Sequence, residues 1–149
     1  FIAGVIGRLD RGKGQEFLIR AAAQLSKQGQ ELHVLLLGAE TLGEQQGYAR
    51  ELHELCDALD VSDRVHFHGF QENVALGYAA MDCFVLTSLS ETYGQVVSEA
   101  LWCGLPVVAM NDGMGVAGQV TDGEDGFLVD PTAADAFTYG GETWAIPLG

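Results

Sequence analysis

The stretch DCFVLTSLSETYGQVVSEALWCGLPVVAM, Asp82 to Met110, decides the fold. Asp82–Thr87 is an apolar run of strand length, too short for a helix of its own. Tyr93–Trp102 reads as a helix and stops at Gly104, the residue favoured just past a helix end. Pro106–Met110 is apolar again. Two apolar strands joined by a crossover helix form the unit of a parallel sheet covered on both faces.

The same alternation runs outward from this unit. Phe1–Ile6 is a strand ended by Gly7. Gln15–Gln28 carries Phe17, Leu18, Ala21, Ala22 and Leu25 on one helical stripe, closed by Gly29. Leu32–Leu37 is a strand, Glu44–Leu59 an amphipathic helix, Arg64–His68 a strand and Glu72–Ala80 a short helix. Downstream, Gly126–Val129 is a strand before Pro131. The expected fold is α/β, a Rossmann-like parallel sheet with helices on both faces, spanning residues 1–131. Residues 132–149 are read as a tail, either irregular or the start of a truncated terminal helix. No internal repeat, linker or low-complexity segment interrupts the pattern.

The 149 residues suffice for one domain with a core of its own. The formal charge is −14, and five of the seven basic residues (Arg8, Arg11, Lys13, Arg20, Lys27) lie in the first 27 positions. After Arg64 there is no Lys or Arg, while eleven Asp and Glu follow. Such a surface argues against nucleic acid and anionic membranes as partners. No apolar run is long enough for insertion into a bilayer, and no signal-peptide pattern opens the chain. Phe1 in place of an initiator Met suggests a piece of a longer protein. Cys56, Cys83 and Cys103 each sit in an apolar stretch, as buried reduced thiols of a cytosolic protein do. None pairs with a His at zinc-ligand spacing, so no metal site is expected.

In parallel sheets ligands bind at the carboxyl ends of strands. The first loop to reach that edge is GRLDRGKG, Gly7 to Gly14. Glycines bracket Arg8 and Lys13 just before a helix, an arrangement that suits a phosphate group. The same residues also make an ordinary solvated basic loop. They match neither a Walker loop nor GxGxxG.

The loop after the fourth strand places Glu91 ahead of a helix and Glu99 within it, with Ser90 or Thr92 as capping residues. Amides around Gly94, Gln95 and Val96 then face the strand ends. Glu99 lies roughly 8 Å below the helix mouth by helical rise. Two acids at different depths suit two hydroxyl-bearing parts of one extended ligand. Alternatively, Glu91 only complements the helix dipole and Glu99 faces solvent.

The combination is more specific than its parts. GRLDRGKG, the pair Glu91 and Glu99 with seven residues between, and EALWCGLPVVA resemble the carboxyl-terminal half of GT-B glycosyltransferases. The likeness is greatest to the retaining group 1 enzymes, family four. VLLLG (Val34–Gly38), VHFHGF (Val65–Phe70), YAAMDCFVLTS (Tyr78–Ser88) and DGEDGFLVDP (Asp122–Pro131) extend it over about residues 1–131.

That resemblance implies a UDP-, GDP- or ADP-sugar donor substrate and no cofactor. Arg8 and Lys13 would bind its diphosphate and stabilise the leaving group without metal. Glu91 would lie against the sugar, and Glu99 would accept from the ribose hydroxyls. Backbone at Tyr93, Gly94 and Gln95 would meet sugar or phosphate, and the base would sit near Gly69 and Phe70. It also implies a missing amino-terminal domain that binds the acceptor, so the chain alone is expected to be inactive. The expected location is the cytoplasm, or the cytosolic membrane face through that missing half.

The chain also departs from the family pattern. Ala39 and Glu40 follow Gly38 where relatives place GxG, Gly118 stands where a Glu is expected, and Met114 replaces a usual Gly. These departures keep open a non-catalytic nucleotide-sugar-binding or scaffold domain. A dinucleotide oxidoreductase lacks its GxGxxG here, and the family-four pattern argues against a GT-B epimerase. His66 and His68 share one strand face, as packing or rim residues. His33 and His53 show no partner in the sequence. Tyr78 and Trp102 read as core or domain-facing residues.

Overall fold

The apolar runs become strands because their centres are covered from both sides. The computed structural model describes residues 1–41, 43, 46–88, 90–111 and 113–130, with the backbone of 138–139 and 142–143. Strands β1 (Ile2–Ile6), β2 (His33–Leu37), β3 (Val65–Gly69), β4 (Cys83–Leu86), β5 (Val107–Met110) and β6 (Gly126–Val129) form one six-stranded sheet. Its order is β3-β2-β1-β4-β5-β6, with every neighbouring pair parallel. β4 and β5 are buried at every position, whereas the edge strand β3 exposes His66 and His68.

Helices α1 (Gln15–Lys27), α2 (Tyr48–Ala58), α3 (Val74–Ala79) and α4 (Gln95–Trp102) cover the two faces. Successive strand residues point to opposite faces. Cys83, Val85, Val108 and Met110 therefore join Leu18, Ile19 and Ala22 of α1 and Leu52 and Cys56 of α2 in one cluster. Phe84, Leu86, Val107 and Ala109 join Tyr78 of α3 and Val97 and Ala100 of α4 in the other. Each fully buried Val, Leu, Ile, Phe or Met side chain among them stabilises the fold by about 1.5–3 kcal/mol.

Several boundaries and environments differ from expectation. Helix α2 begins at Tyr48; Glu44 and Gln45, expected in it, lie outside the described residues. Helix α4 begins at Gln95 rather than Tyr93, with Gly94 as its N-cap and no side-chain cap bond from Ser90 or Thr92. The reason is local: Gly94 adopts φ 71°, ψ 54°, and this left-handed residue turns the chain into the helix. Cys56 and Cys83 are buried, but Cys103 is exposed because it lies past the last turn of α4, at its C-cap. Of the two residues expected in the core or facing another domain, Tyr78 is buried and Trp102 is 90% exposed.

His33 and His53 do have partners, both of them on β3. His33 Nδ1 lies 3.1 Å from His66 Nε2, and His53 stacks on Phe67 with ring centroids 3.9 Å apart. In the tail, the backbone of Thr138–Tyr139 pairs antiparallel with Glu142–Thr143; the rest of 131–149 lies outside the described residues. Among the described residues no helix is long and apolar enough to cross a membrane.

Candidate functional site at the sheet switch point

β1 and β4 are neighbours in the sheet, yet the chain leaves β1 towards β2 on one side and β4 towards β5 on the other. The loops after these two strands therefore diverge and leave a crevice at the carboxyl edge.

The first loop is shaped by its own residues. The Asp10 carboxylate accepts from Gly12 N at 2.8 Å, capping a single 3₁₀ turn, Arg11–Lys13. Gly14, at φ 66°, ends that turn and leads into α1. A Cβ at Gly14 would stand 2.6 Å from the Thr87 carbonyl oxygen, so the two loops touch where only glycine fits. Thr87 Oγ1 donates to the Lys13 carbonyl at 2.5 Å, and Gln15 Nε2 donates to the Arg8 carbonyl at 2.7 Å. Arg11 is drawn away to α2, where it pairs with Glu51 and lies 5.2 Å from the Tyr48 ring centroid. Lys13 instead reaches across the crevice, its Nζ donating to Glu91 Oε1.

Around that ion pair is a cavity of about 260 Å³, whose polar lining includes Arg8, Lys13, Gln15, Ser88, Glu91 and Gln95. Among the described residues, two of these side chains are buried with an oxygen that has no partner, Gln15 Oε1 and Ser88 Oγ. Gln15 Nε2 must face the Arg8 carbonyl, which only accepts, so its Oε1 remains an acceptor in need of a donor. A second cavity, about 450 Å³, shares Ile6, Gly7 and Arg8 with the first. Its further walls are mainly apolar, with Leu37, Val74 and the 79%-exposed ring of Phe70, and its polar groups include Glu40, Thr41 and Gln71. A charged compartment adjoins a flat apolar one, and Arg8 borders both.

The corner before α4 is braced from the third loop. Gln119 Nε2 donates to the Tyr93 carbonyl and, at 3.2 Å, to the Gly115 carbonyl, while its Oε1 accepts from Ser98 Oγ. Deeper in, Tyr78 of α3 donates to Glu99 Oε2 at 2.8 Å and lies 3.2 Å from the Val96 carbonyl oxygen. Burial, and next the bond to Glu99, hold this phenol far above the usual tyrosine range, so it stays a donor.

Of the residues singled out from the sequence, Arg8, Lys13, Glu91, Gly94 and Gln95 surround one cavity and Phe70 edges the other. Gly69 backs Phe70, accepting from Gly38 N at 2.7 Å. Tyr93 is 60% exposed beside the corner and lines neither of these two cavities. Glu99 is likewise absent from both linings and faces Tyr78. Sequence reasoning missed Gln15, Ser88 and Gln119. Gln15 was legible as a polar residue on the apolar stripe of α1; the other two depend on contacts between loops.

Residues 1–142 match the family model described as glycosyl transferases group 1. A D-inositol 3-phosphate glycosyltransferase of Rhodococcus opacus is 39% identical over 132 residues, covering 84% of this chain and 28% of that protein. The lipopolysaccharide core biosynthesis glycosyltransferase LpsE of Rhizobium meliloti is 36% identical, covering 89% of this chain and 36% of that one. The chain thus spans about a third of the length of these relatives. Among solved structures, Anabaena HepE in complex with UDP and glucose superposes with TM-score 0.80 at 39% identity, covering 88% of this chain and 34% of HepE.

Proposed function

The chain belongs to the glycosyl transferases group 1 family, and from that premise we propose that its switch-point site binds a nucleoside-diphosphate sugar for retaining transfer to an acceptor. The observation that carries the proposal is the meeting of Lys13 and Glu91 between the β1 and β4 loops, beside Arg8 and the mouth of α4. In the transfer, the bond from the anomeric carbon to the phosphate oxygen breaks, a bond to an acceptor oxygen forms on the same face, and the acceptor hydroxyl gives its proton to the departing diphosphate. Negative charge grows on the departing diphosphate and positive charge on the sugar. Cations at Arg8 and Lys13, with the first-turn amides of α4, suit the former without a metal ion; the Glu91 carboxylate suits the latter.

The apolar cavity beside Phe70 suits a nucleobase, which presents a flat face to the ring and polar edges to Thr41 or Gln71. Ser88 and Gln15 offer the bound donor a hydroxyl and a carbonyl acceptor at the floor of the charged cavity. UDP and glucose occupy HepE, which favours UDP as the nucleotide here. Acceptor binding belongs to a separate amino-terminal domain, so the present chain binds donor and transfers nothing, and the reaction runs in the cytoplasm.

Calorimetric titration of the folded chain with UDP, GDP, ADP and UDP-glucose tests this reading. UDP and UDP-glucose are expected to bind most tightly; no binding of any of the four overturns it.

A further inference from the structure

Tyr78 and Glu99 meet about one turn along two helices whose first residues border the two cavities. Val74, at the start of α3, lines the apolar cavity; Gln95 and Val96, at the start of α4, line the charged one. Tyr78 is 2% exposed, its ring packed at a tilt on Phe84 with centroids 5.9 Å apart, so the side chain has little freedom. Its hydroxyl carries one proton and has two acceptors in range, the Val96 carbonyl at 3.2 Å and Glu99 Oε2 at 2.8 Å. The carboxylate is the nearer and the charged one, so the proton goes there. A protonated phenol thus holds one carboxylate oxygen and leaves Oε1 for another donor.

We propose that Tyr78 is a positioning residue, fixing Glu99 so that its second oxygen receives the hydroxyls of the donor's ribose. This rests on the donor-site reading above, in which the ribose joins a base in one cavity to a diphosphate in the other. On an eight-residue helix, an unrestrained Glu side chain samples several rotamers. The bond from α3 removes that freedom before the ligand arrives, so the ordering cost of binding is lower. Tyr78 touches no part of the ligand and acts only through the carboxylate.

The test compares UDP with 2′,3′-dideoxy-UDP in calorimetric titrations of the wild type, Tyr78→Phe and Glu99→Ala. The phenylalanine keeps the ring packing and removes only the hydroxyl; thermal unfolding checks that each variant is folded. The wild type is expected to prefer UDP by about tenfold, the scale of a hydrogen bond to a charged group. Glu99→Ala is expected to abolish that preference, and Tyr78→Phe to cut it to about threefold or less while binding of the dideoxy compound stays as in the wild type. An undiminished preference in Tyr78→Phe, or equal weakening for both compounds, overturns the positioning role. A wild type with no preference, or one that binds neither compound, overturns the ribose contact itself and the inference with it.

Discussion

Lys13 Nζ donates to Glu91 Oε1, joining the loop after β1 to the loop after β4 across 78 positions of sequence. The pair is partly shielded, with side chains 30% and 17% exposed. The two charges serve different parts of the proposed ligand, so they can be separated experimentally. In Glu91→Ala, Lys13 loses a competitor for phosphate. UDP affinity is expected to stay constant or rise by up to about threefold, the value of a screened ion pair. The added affinity of UDP-glucose over UDP is expected to vanish. Calorimetry with both ligands checks the split, and loss of UDP binding with the sugar preference kept contradicts it.

Gly14 and Gly12 sit in the same loop and predict opposite outcomes. Gly14→Ala places a Cβ 2.6 Å from the Thr87 carbonyl at φ 66°, which costs about 1–2 kcal/mol for the left-handed backbone before the clash is counted. The melting temperature is expected to fall by about 5 °C or more. Gly12→Ala meets only the flexible Asp10 carboxylate at 3.2 Å and is expected to melt within about 2 °C of the wild type. Equal shifts would remove the loop contact from the account.

The three thiols differ in reactivity. Burial raises Cys56 to about 11 and Cys83 to about 12, and both stay protonated at neutral pH. Iodoacetamide at about pH 8 is expected to alkylate Cys103 alone in the folded chain and all three in denaturant, read by mass spectrometry. Both folded values lie above the ordinary 9.0, so folding favours the protonated forms. Their contribution to stability is complete below pH 9 and is lost as pH rises towards 11 and then 12. Denaturant midpoints measured between pH 8 and 11 are expected to decline; a constant midpoint contradicts the burial argument.

Among the described residues Ser88 Oγ is buried without a partner, and it lines the charged cavity. Ser88→Ala removes a polar group whose burial opposes folding, so stability is expected to hold or rise by about 1 kcal/mol. UDP-glucose affinity is expected to fall by about threefold to tenfold for the same lost hydrogen bond. A variant with unchanged affinity excludes the hydroxyl from the site.

Much of this architecture is written locally. Apolar runs of strand length alternate with helical stripes, so strand and helix order follow from Val34–Leu37, Leu52 and Cys56, and Val107–Met110 without tertiary information. The two loops at the switch point follow as well, because strand order in such sheets brings their ends together. Boundaries and pairings are less legible. Gly94 starts α4 through a left-handed conformation, whereas Ser90 and Thr92 carry the usual capping side chains. The unexpected contacts, His33 with His66 and Gln119 with Tyr93, join residues 33 and 26 positions apart and exist only once strands and loops are placed. Glu99 shows the limit most clearly. Spacing puts it on α4, but only the fold shows that Tyr78 takes one of its oxygens.

The central claim is that the Arg8–Lys13 turn and the Glu91–Gly94 corner hold one diphosphate, and the most direct measurement compares UDP with uridine. Titrated into the wild type, UDP is expected to bind at least about tenfold more tightly than uridine, with an advantage that shrinks as salt rises. In Lys13→Ala that advantage is expected to fall about tenfold, the scale of a charge-assisted phosphate contact, while uridine binding stays as in the wild type. Equal affinity for UDP and uridine in the wild type, or a Lys13→Ala chain that prefers UDP as strongly as before, contradicts the claim.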